Sequence, residues 1–167
     1  DYKYNIRGWM TDINNVDITN DDLFSFRLNY DKLTQTTENP YIKALYNGNI
    51  GETIWKTSPD HQKRSYSYAY DGLNRLLFSD YLKNNSETKN AYNEQIAGYD
   101  KNGNINGIFR TGANESSNLT YIDLLSHRYQ TNSNKLISVE DTSNVPEGFD
   151  DKNKTGNDYD YDLNGNL

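Results

Sequence analysis

The residues that could carry out acid–base chemistry in this chain are few and scattered. The two histidines, His61 and His127, have neither a second histidine at metal-ligand spacing nor a Ser or Cys nucleophile motif beside them. Adjacent carboxylates such as Asp21-Asp22 lie in polar stretches, where they stay solvated and ionise separately. A glycoside hydrolase would need two acids facing each other across a cleft, and that enzyme is kept as an alternative. We predict no catalytic residue and no cofactor, and we expect a protein that is not an enzyme.

Two Asp- and Asn-rich runs, 100–104 and 162–166, resemble the opening of a calcium loop. An EF-hand loop also needs Gly at its sixth position and Glu at its twelfth, where the run that begins at Asp100 has Ile105 and Thr111. Asp, Asn and Gly are equally what a tight hairpin requires, and Asn102-Gly103 predicts a type I′ turn. We therefore predict turns and no metal site, and leave calcium binding by these turns open.

These runs belong to a phrase that begins with tyrosine and repeats along the chain, with copies at Tyr70, Tyr99, Tyr129 and Tyr161. The tyrosine thus recurs after 29, 30 and 32 residues, and such a period is typical of a modular array. The third copy departs from the others by having Gln after Tyr and one extra residue, which predicts a wider loop there. We predict that the repeated residues are structural anchors and turn positions, namely Tyr70, Asp71, Tyr99, Asp100, Gly103, Tyr129, Tyr161, Asp162 and Gly165.

The charge balance excludes two classes of partner. The chain has 24 acidic and 17 basic residues among 167, for a net charge of −7, so phosphate backbones and anionic membranes would be repelled. It contains no cysteine, and no apolar run approaches the length of a membrane span. We predict no nucleic-acid partner, no disulfide and no membrane span.

The hydrophobic fraction is only 34%, yet the chain has 15 Tyr, 5 Phe and 2 Trp, which a half-buried β-sheet uses well. Tyr66, Tyr68 and Tyr70 alternate with small residues and so share one face of a strand. We favour rings that pair across strands and build a thin core. The alternative is a surface on which rings stack against sugars, and its candidate residues are Trp9, Trp55, Tyr66 and Tyr68.

Alternating segments joined by turns predict an all-β fold, an antiparallel sheet of consecutive long β-hairpins with roughly eight to twelve strands. We expect residues 1–167 to form a single fragment of about five to six hairpin repeats, cut from a larger protein. Its edge strands should be covered by loops or pair with another copy in a homodimer.

The phrases at Tyr68–Leu76, Gly98–Ile105 and Tyr161–Leu167 resemble the YD repeats of the Rhs family, and Tyr4–Trp9 and Leu45–Ile50 resemble the form such repeats take in Bacteroidetes-type surface proteins. The resemblance implies a twisted strip of hairpins that, in longer relatives, spirals into a hollow shell around a toxin or forms an extracellular barrel. It also implies an exported or cell-surface bacterial protein. The family's Asp-Pro-rich self-cleavage motif has no counterpart, because the chain has no Asp-Pro.

These observations together predict a non-enzymatic structural repeat segment of a large exported bacterial protein, associated with toxin encapsulation or surface interaction. The expected partners are neighbouring repeats of the same polypeptide. The alternative function is a carbohydrate-binding or adhesive surface module, for which glycans would be the partners.

Overall fold

A computed structural model describes residues 1–18, 21–34, 39–84, 91–112 and 120–167. These residues form ten strands and no helix, which confirms the predicted all-β class. The strands are β1 (Tyr2–Tyr4), β2 (Met10–Ile13), β3 (Phe24–Asn29), β4 (Glu52–Thr57), β5 (Arg64–Tyr70), β6 (Leu76–Lys83), β7 (Glu94–Tyr99), β8 (Ile105–Thr111), β9 (Tyr121–Tyr129) and β10 (Leu136–Asp141).

The chain divides into two compact units, Asp1–Ala91 with β1–β6 and Tyr92–Leu167 with β7–β10. Within each unit every strand pairs antiparallel with the strand that follows it in the sequence. The prediction of an antiparallel sheet of consecutive hairpins is therefore confirmed. The register shifts in β7 at Gly98, opposite Gly107 of β8.

The first unit buries the face of its sheet that carries the small residues. In β5, Ser65, Ser67 and Ala69 are almost completely buried, whereas Tyr66 and Tyr68 on the opposite face stay partly exposed. The predicted pairing of rings across strands is found, since the Tyr66 and Tyr81 ring centroids are 5.4 Å apart. Tyr81 is buried while Tyr66 and Tyr68 stay partly exposed, so the rings contribute to the core only in part.

Two loops cover this buried face. The Lys56 ammonium donates to the Ile18 carbonyl, and the Thr34 hydroxyl donates to the Glu52 carboxylate at 2.9 Å. Two aliphatic side chains from the same loops, Val16 and Ile42, are buried with Ile54 of β4. Because loop residues supply much of the covering layer, small polar residues on the strands leave room for it.

The second unit protects the outer edge of β10 with the segment that follows it. The Val139 amide donates to the Asp158 carboxylate at 2.7 Å, and the Ile137 carbonyl accepts from the Asp158 amide at 2.8 Å. The Asp141 amide donates to Asp151 at 3.2 Å. The expectation that a loop covers an edge strand is confirmed here, while pairing between two copies stays a prediction.

A close backbone contact holds the same segment against β9. The Phe149 amide donates to the fully buried Asp123 carboxylate at 2.6 Å, and the Arg110 guanidinium pairs with the second oxygen of that carboxylate at 2.5 Å. A Cβ atom at Gly148 would stand 1.8 Å from the Ile122 carbonyl oxygen. Only glycine allows the chain to pass this close to the strand.

Candidate functional site

The repeated phrase builds a turn in which an aspartate binds the backbone ahead of it. In the turn 100–104, the Asp100 amide donates to the Asn104 carbonyl at 2.9 Å and the Gly103 amide donates to the Asp100 carbonyl at 3.1 Å. One Asp100 oxygen accepts the amides of Asn102 and Asn104, and the other accepts the Asn104 side chain at 2.8 Å. The side chain thus satisfies the donors that a tight loop leaves unpaired.

Three other turns repeat this pattern. Asp162 binds Asn164 and Asn166 as Asp100 binds its partners. Asp71 accepts the amides of Leu73 and Arg75 and pairs with the Arg75 guanidinium at 2.7 Å. Asn5 accepts the amides of Arg7 and Trp9 through its side-chain oxygen. The first position of the phrase therefore needs an acceptor oxygen, which Asp or Asn provides.

The turn type differs from the type I′ prediction. A type I′ turn needs positive φ at both central residues, whereas Asn102 is not in the left-handed region and Gly103 alone adopts φ 90°. The hydrogen bonds are those of a type I turn closed by a bulge, the usual three-residue hairpin loop. The left-handed position is filled by Gly8, Asn74, Gly103 and Gly165 in the four turns.

The third copy of the phrase has the wider loop that its extra residue predicts. The Gln130 amide donates to the Lys135 carbonyl at 2.8 Å, so six residues close this turn where the others use five. Asn132 adopts φ 57° within it. Gln130 replaces the aspartate, and the Ser133 hydroxyl accepts the Lys135 amide at 3.1 Å instead.

Several tyrosine hydroxyls connect a hairpin to the turn of an earlier one. Every hydroxyl that makes this bond donates to the carbonyl of the first residue after that turn. The pairs are Tyr30 with Met10 at 3.0 Å, Tyr70 with Ile50 at 2.9 Å, Tyr129 with Ile105 at 2.9 Å and Tyr161 with Leu136 at 2.9 Å. We call these four contacts the tyrosine links.

The tyrosine links reveal an anchor that the sequence analysis missed. Tyr30 comes directly after β3 and is followed by Asp31, so it carries the Tyr-Asp signature ahead of a long connection to β4. Tyr46, in the segment that resembles a repeat, is 77% exposed. Tyr99, a predicted anchor, is half-buried at the end of β7, directly before the Asp100 turn.

Asparagine side chains add a second connection between successive turns. Asn134 accepts from the side chains of Asn102 and Asn104 at 3.1 and 3.0 Å. Asn74 accepts from Asn47 at 2.6 Å in the first unit. Because a bond of this kind needs one turn stacked on the next, it fixes the spacing of the hairpins.

Three of the four candidate sugar-stacking residues lie together on the exposed face of the first unit. The ring of Tyr66 stacks between Trp55 and Tyr68, with centroid distances of 5.8 and 6.3 Å and interplanar angles of 20° and 24°. The Tyr68 hydroxyl and the Thr53 hydroxyl are hydrogen-bonded at 2.9 Å. We call Trp55, Tyr66 and Tyr68 the aromatic row.

Trp9, the fourth candidate, is packed elsewhere. Its ring lies 5.2 Å from Tyr30, the Arg7 guanidinium lies 5.1 Å above it, and Gly48 is so close that a Cβ there would stand 2.9 Å from Cη2 of the indole. Trp9 therefore helps to hold the first turn, and its ring faces are largely occupied.

The groups that could titrate or bind metal serve the turns. The Asn104 side chain, followed by backbone amides, holds the pKa of Asp100 below its usual value, and Asn166 does the same for Asp162. For Asp71 the Arg75 amide has the largest effect in lowering the pKa. Within the described residues, no cluster of three or more His, Asp or Glu side chains could hold a metal ion.

Comparison with protein-family models, curated proteins and solved structures finds no match to this chain. In the part of the chain that the structure describes, no helix has the length and apolarity needed to cross a bilayer.

Removing one tyrosine hydroxyl should weaken the sheet without altering its core. We expect Tyr70→Phe to lower the free energy of unfolding by about 0.5–1.5 kcal/mol, because the hydrogen bond to Ile50 is lost. Tyr46→Phe, at an exposed ring, is the matched control and should change it by less than about 0.5 kcal/mol. Urea denaturation measures both, and equal values for the two variants would contradict the role of the link.

The left-handed position should tolerate asparagine and reject a β-branched residue. We expect Gly103→Val to lower the free energy of unfolding by about 1–3 kcal/mol, since valine is strained at positive φ. Gly103→Asn should lose less than about 1 kcal/mol, because Asn74 adopts φ 64° at the same position. Chemical denaturation distinguishes the two, and an unchanged midpoint for the valine variant would count against this turn.

The turn carboxylates should make stability depend on pH in the acid range. Their folded pKa values are lowered, so their contribution is present at neutral pH and is lost as the pH falls through those values. The double variant Asp100→Asn with Asp162→Asn should stay folded at neutral pH, since Asn5 makes the same amide contacts. We measure the free energy of unfolding in urea at a series of acid pH values. It should fall less steeply with decreasing pH for this variant than for the parent, and identical slopes would refute the assignment.

Proposed function

We propose that this chain is a non-enzymatic structural segment whose tyrosine-led hairpins form part of the β-shell of a large exported bacterial protein of the Rhs/YD-repeat type. The tyrosine links are the observation that carries the proposal. Among the residues that the structure describes, Tyr30, Tyr70, Tyr129 and Tyr161 make the same hydroxyl-to-carbonyl contact, and each copy joins a hairpin to the turn of an earlier one. A bond that several hairpins make in the same way suits a wall that grows by adding hairpins.

The chemistry of the turns supports a structural role. The oxygens of Asp100 and Asp162 already accept backbone and side-chain donors, so these acids stabilise their own turns. His127 lies on β9 opposite Val139 of β10, and burial lowers its pKa. This role needs only neighbouring repeats of the same polypeptide as partners, and either toxin encapsulation or contact between surfaces would use such a wall.

Electron cryo-microscopy of the full native gene product tests the structural role directly. We expect these residues to form one stretch of a curved β-wall around an enclosed chamber in a protein that the cell exports. A compact product without a chamber, or one retained inside the cell, would overturn the proposal.

The aromatic row favours a second candidate, a carbohydrate-binding surface. Three stacked rings beside the Thr53 and Tyr68 hydroxyls resemble the apolar platforms with a few polar groups on which sugars bind. Calorimetric titration with neutral polysaccharides separates the two functions, because a purely structural segment gives no saturable heat. Binding that Trp55→Ala abolishes and that Tyr41→Ala, at a ring 74% exposed, leaves intact would favour the glycan function, and no saturable heat with the parent protein would dismiss it.

A further inference from the structure

The first unit contains a cleft that the hairpin repeat does not require. It has a volume of about 390 Å³ and lies between the first turn, with Arg7 and Trp9, and the connection from β3 to β4, with Tyr30, Lys32 and Tyr46. That volume is within the range of small-molecule sites. The connection from β3 to β4 is much longer than the five- and six-residue turns, and an insertion of this kind commonly carries function.

The charges that line the cleft favour an anion. Three cations and two carboxylates face it, although the chain as a whole has a net charge of −7. Arg27 pairs with Asp12 at 2.8 Å and also with Asp17 at 2.7 Å. Arg7 and Lys32 are exposed and have no carboxylate partner among the described residues, whereas Asp31 is the remaining acid of the lining. Apart from the Arg27–Asp12 pair, the cleft is therefore lined by two cations and one carboxylate.

The Arg7 guanidinium is already held in place for binding. It lies 5.1 Å above the Trp9 ring, and the Arg7 amide is fixed by the Asn5 side-chain oxygen at 2.9 Å. A guanidinium held over an indole keeps its N–H groups at the rim, where they match the two oxygens of a carboxylate. Lys32 supplies a second positive charge to the same cleft.

The aromatic lining adds a surface for a ring. Tyr46 lines the cleft and is 77% exposed, so its ring is open to contact with a ligand. Asn5 uses its side-chain oxygen for two amides, which leaves its Nδ2 group as a hydrogen-bond donor at the cleft. A ligand that combines a carboxylate, a ring and hydroxyl groups matches this set.

We propose that the cleft binds a uronic acid unit of an acidic glycan, with Arg7 and Lys32 on the carboxylate and Tyr46 against the sugar ring. This site is separate from the aromatic row and does not rest on the structural role proposed above. A structural segment can carry it, so failure of either proposal leaves the other standing.

Calorimetry on the whole chain with digalacturonate as the probe tests the site. We expect one saturable site whose affinity falls as salt is added, with Arg7→Gln binding about tenfold more weakly and Arg7→Lys retaining part of the affinity. Tyr46→Ala should also weaken binding. Lys135→Gln, which removes a cation that lies 5.1 Å over the Tyr161 ring in the second unit, is the matched control and should bind like the parent.

Two further probes identify which part of the ligand is recognised. Neutral galactobiose should bind much more weakly than digalacturonate because it lacks the carboxylates, and acetate should not compete at equal concentration because it lacks the ring. Equal binding of galactobiose would overturn the role of Arg7 and Lys32, and equal competition by acetate would overturn the sugar assignment. No binding of digalacturonate, or an unchanged affinity in Arg7→Gln with the fold intact by circular dichroism, would overturn the site.

Discussion

The structure depends on one contact, the hydrogen bond from a tyrosine hydroxyl to the carbonyl of the residue that follows an earlier turn. A backbone carbonyl just beyond a tight loop needs a hydrogen-bond donor, and the tyrosine links supply one. The hydroxyl bonds a backbone carbonyl, so the contact tolerates any residue at the acceptor position. Met10, Ile50, Ile105 and Leu136 fill that position.

The links also explain how a chain with few aliphatic residues folds as a sheet. With the turns fixed by Asp or Asn and by the links, the strands need not be clamped by a wide apolar core. The buried face of the first unit can then hold Ser65, Ser67 and a fully buried Glu52 that binds Asn29 and Thr34. The rings of the other face stack on one another and stay partly exposed, which makes that face available for recognition.

Much of the fold was predictable because its signals are local. Turn residues at fixed offsets from tyrosine gave the hairpins, and the extra residue before Leu136 gave the wider loop. The turn type was missed because Asn-Gly fits both a type I′ turn and a type I turn with a bulge, and only the φ value of Asn102 separates them. Tyr30 was missed because a long insertion separates its Tyr-Asp pair from β4.

The sequence alone determined the antiparallel hairpins, the Asp or Asn acceptor at the head of the five-residue turns and the need for Gly or Asn at the left-handed position, since each follows from interactions within a few residues. Only the tertiary structure decided which face of the strands is buried, because alternation identifies two faces without saying which one the loops cover. It also decided that Tyr30 rather than Tyr46 is the anchor, and that Arg7, Lys32 and Tyr46 line one cleft. Those outcomes depend on contacts between residues far apart in the chain, which no local pattern encodes.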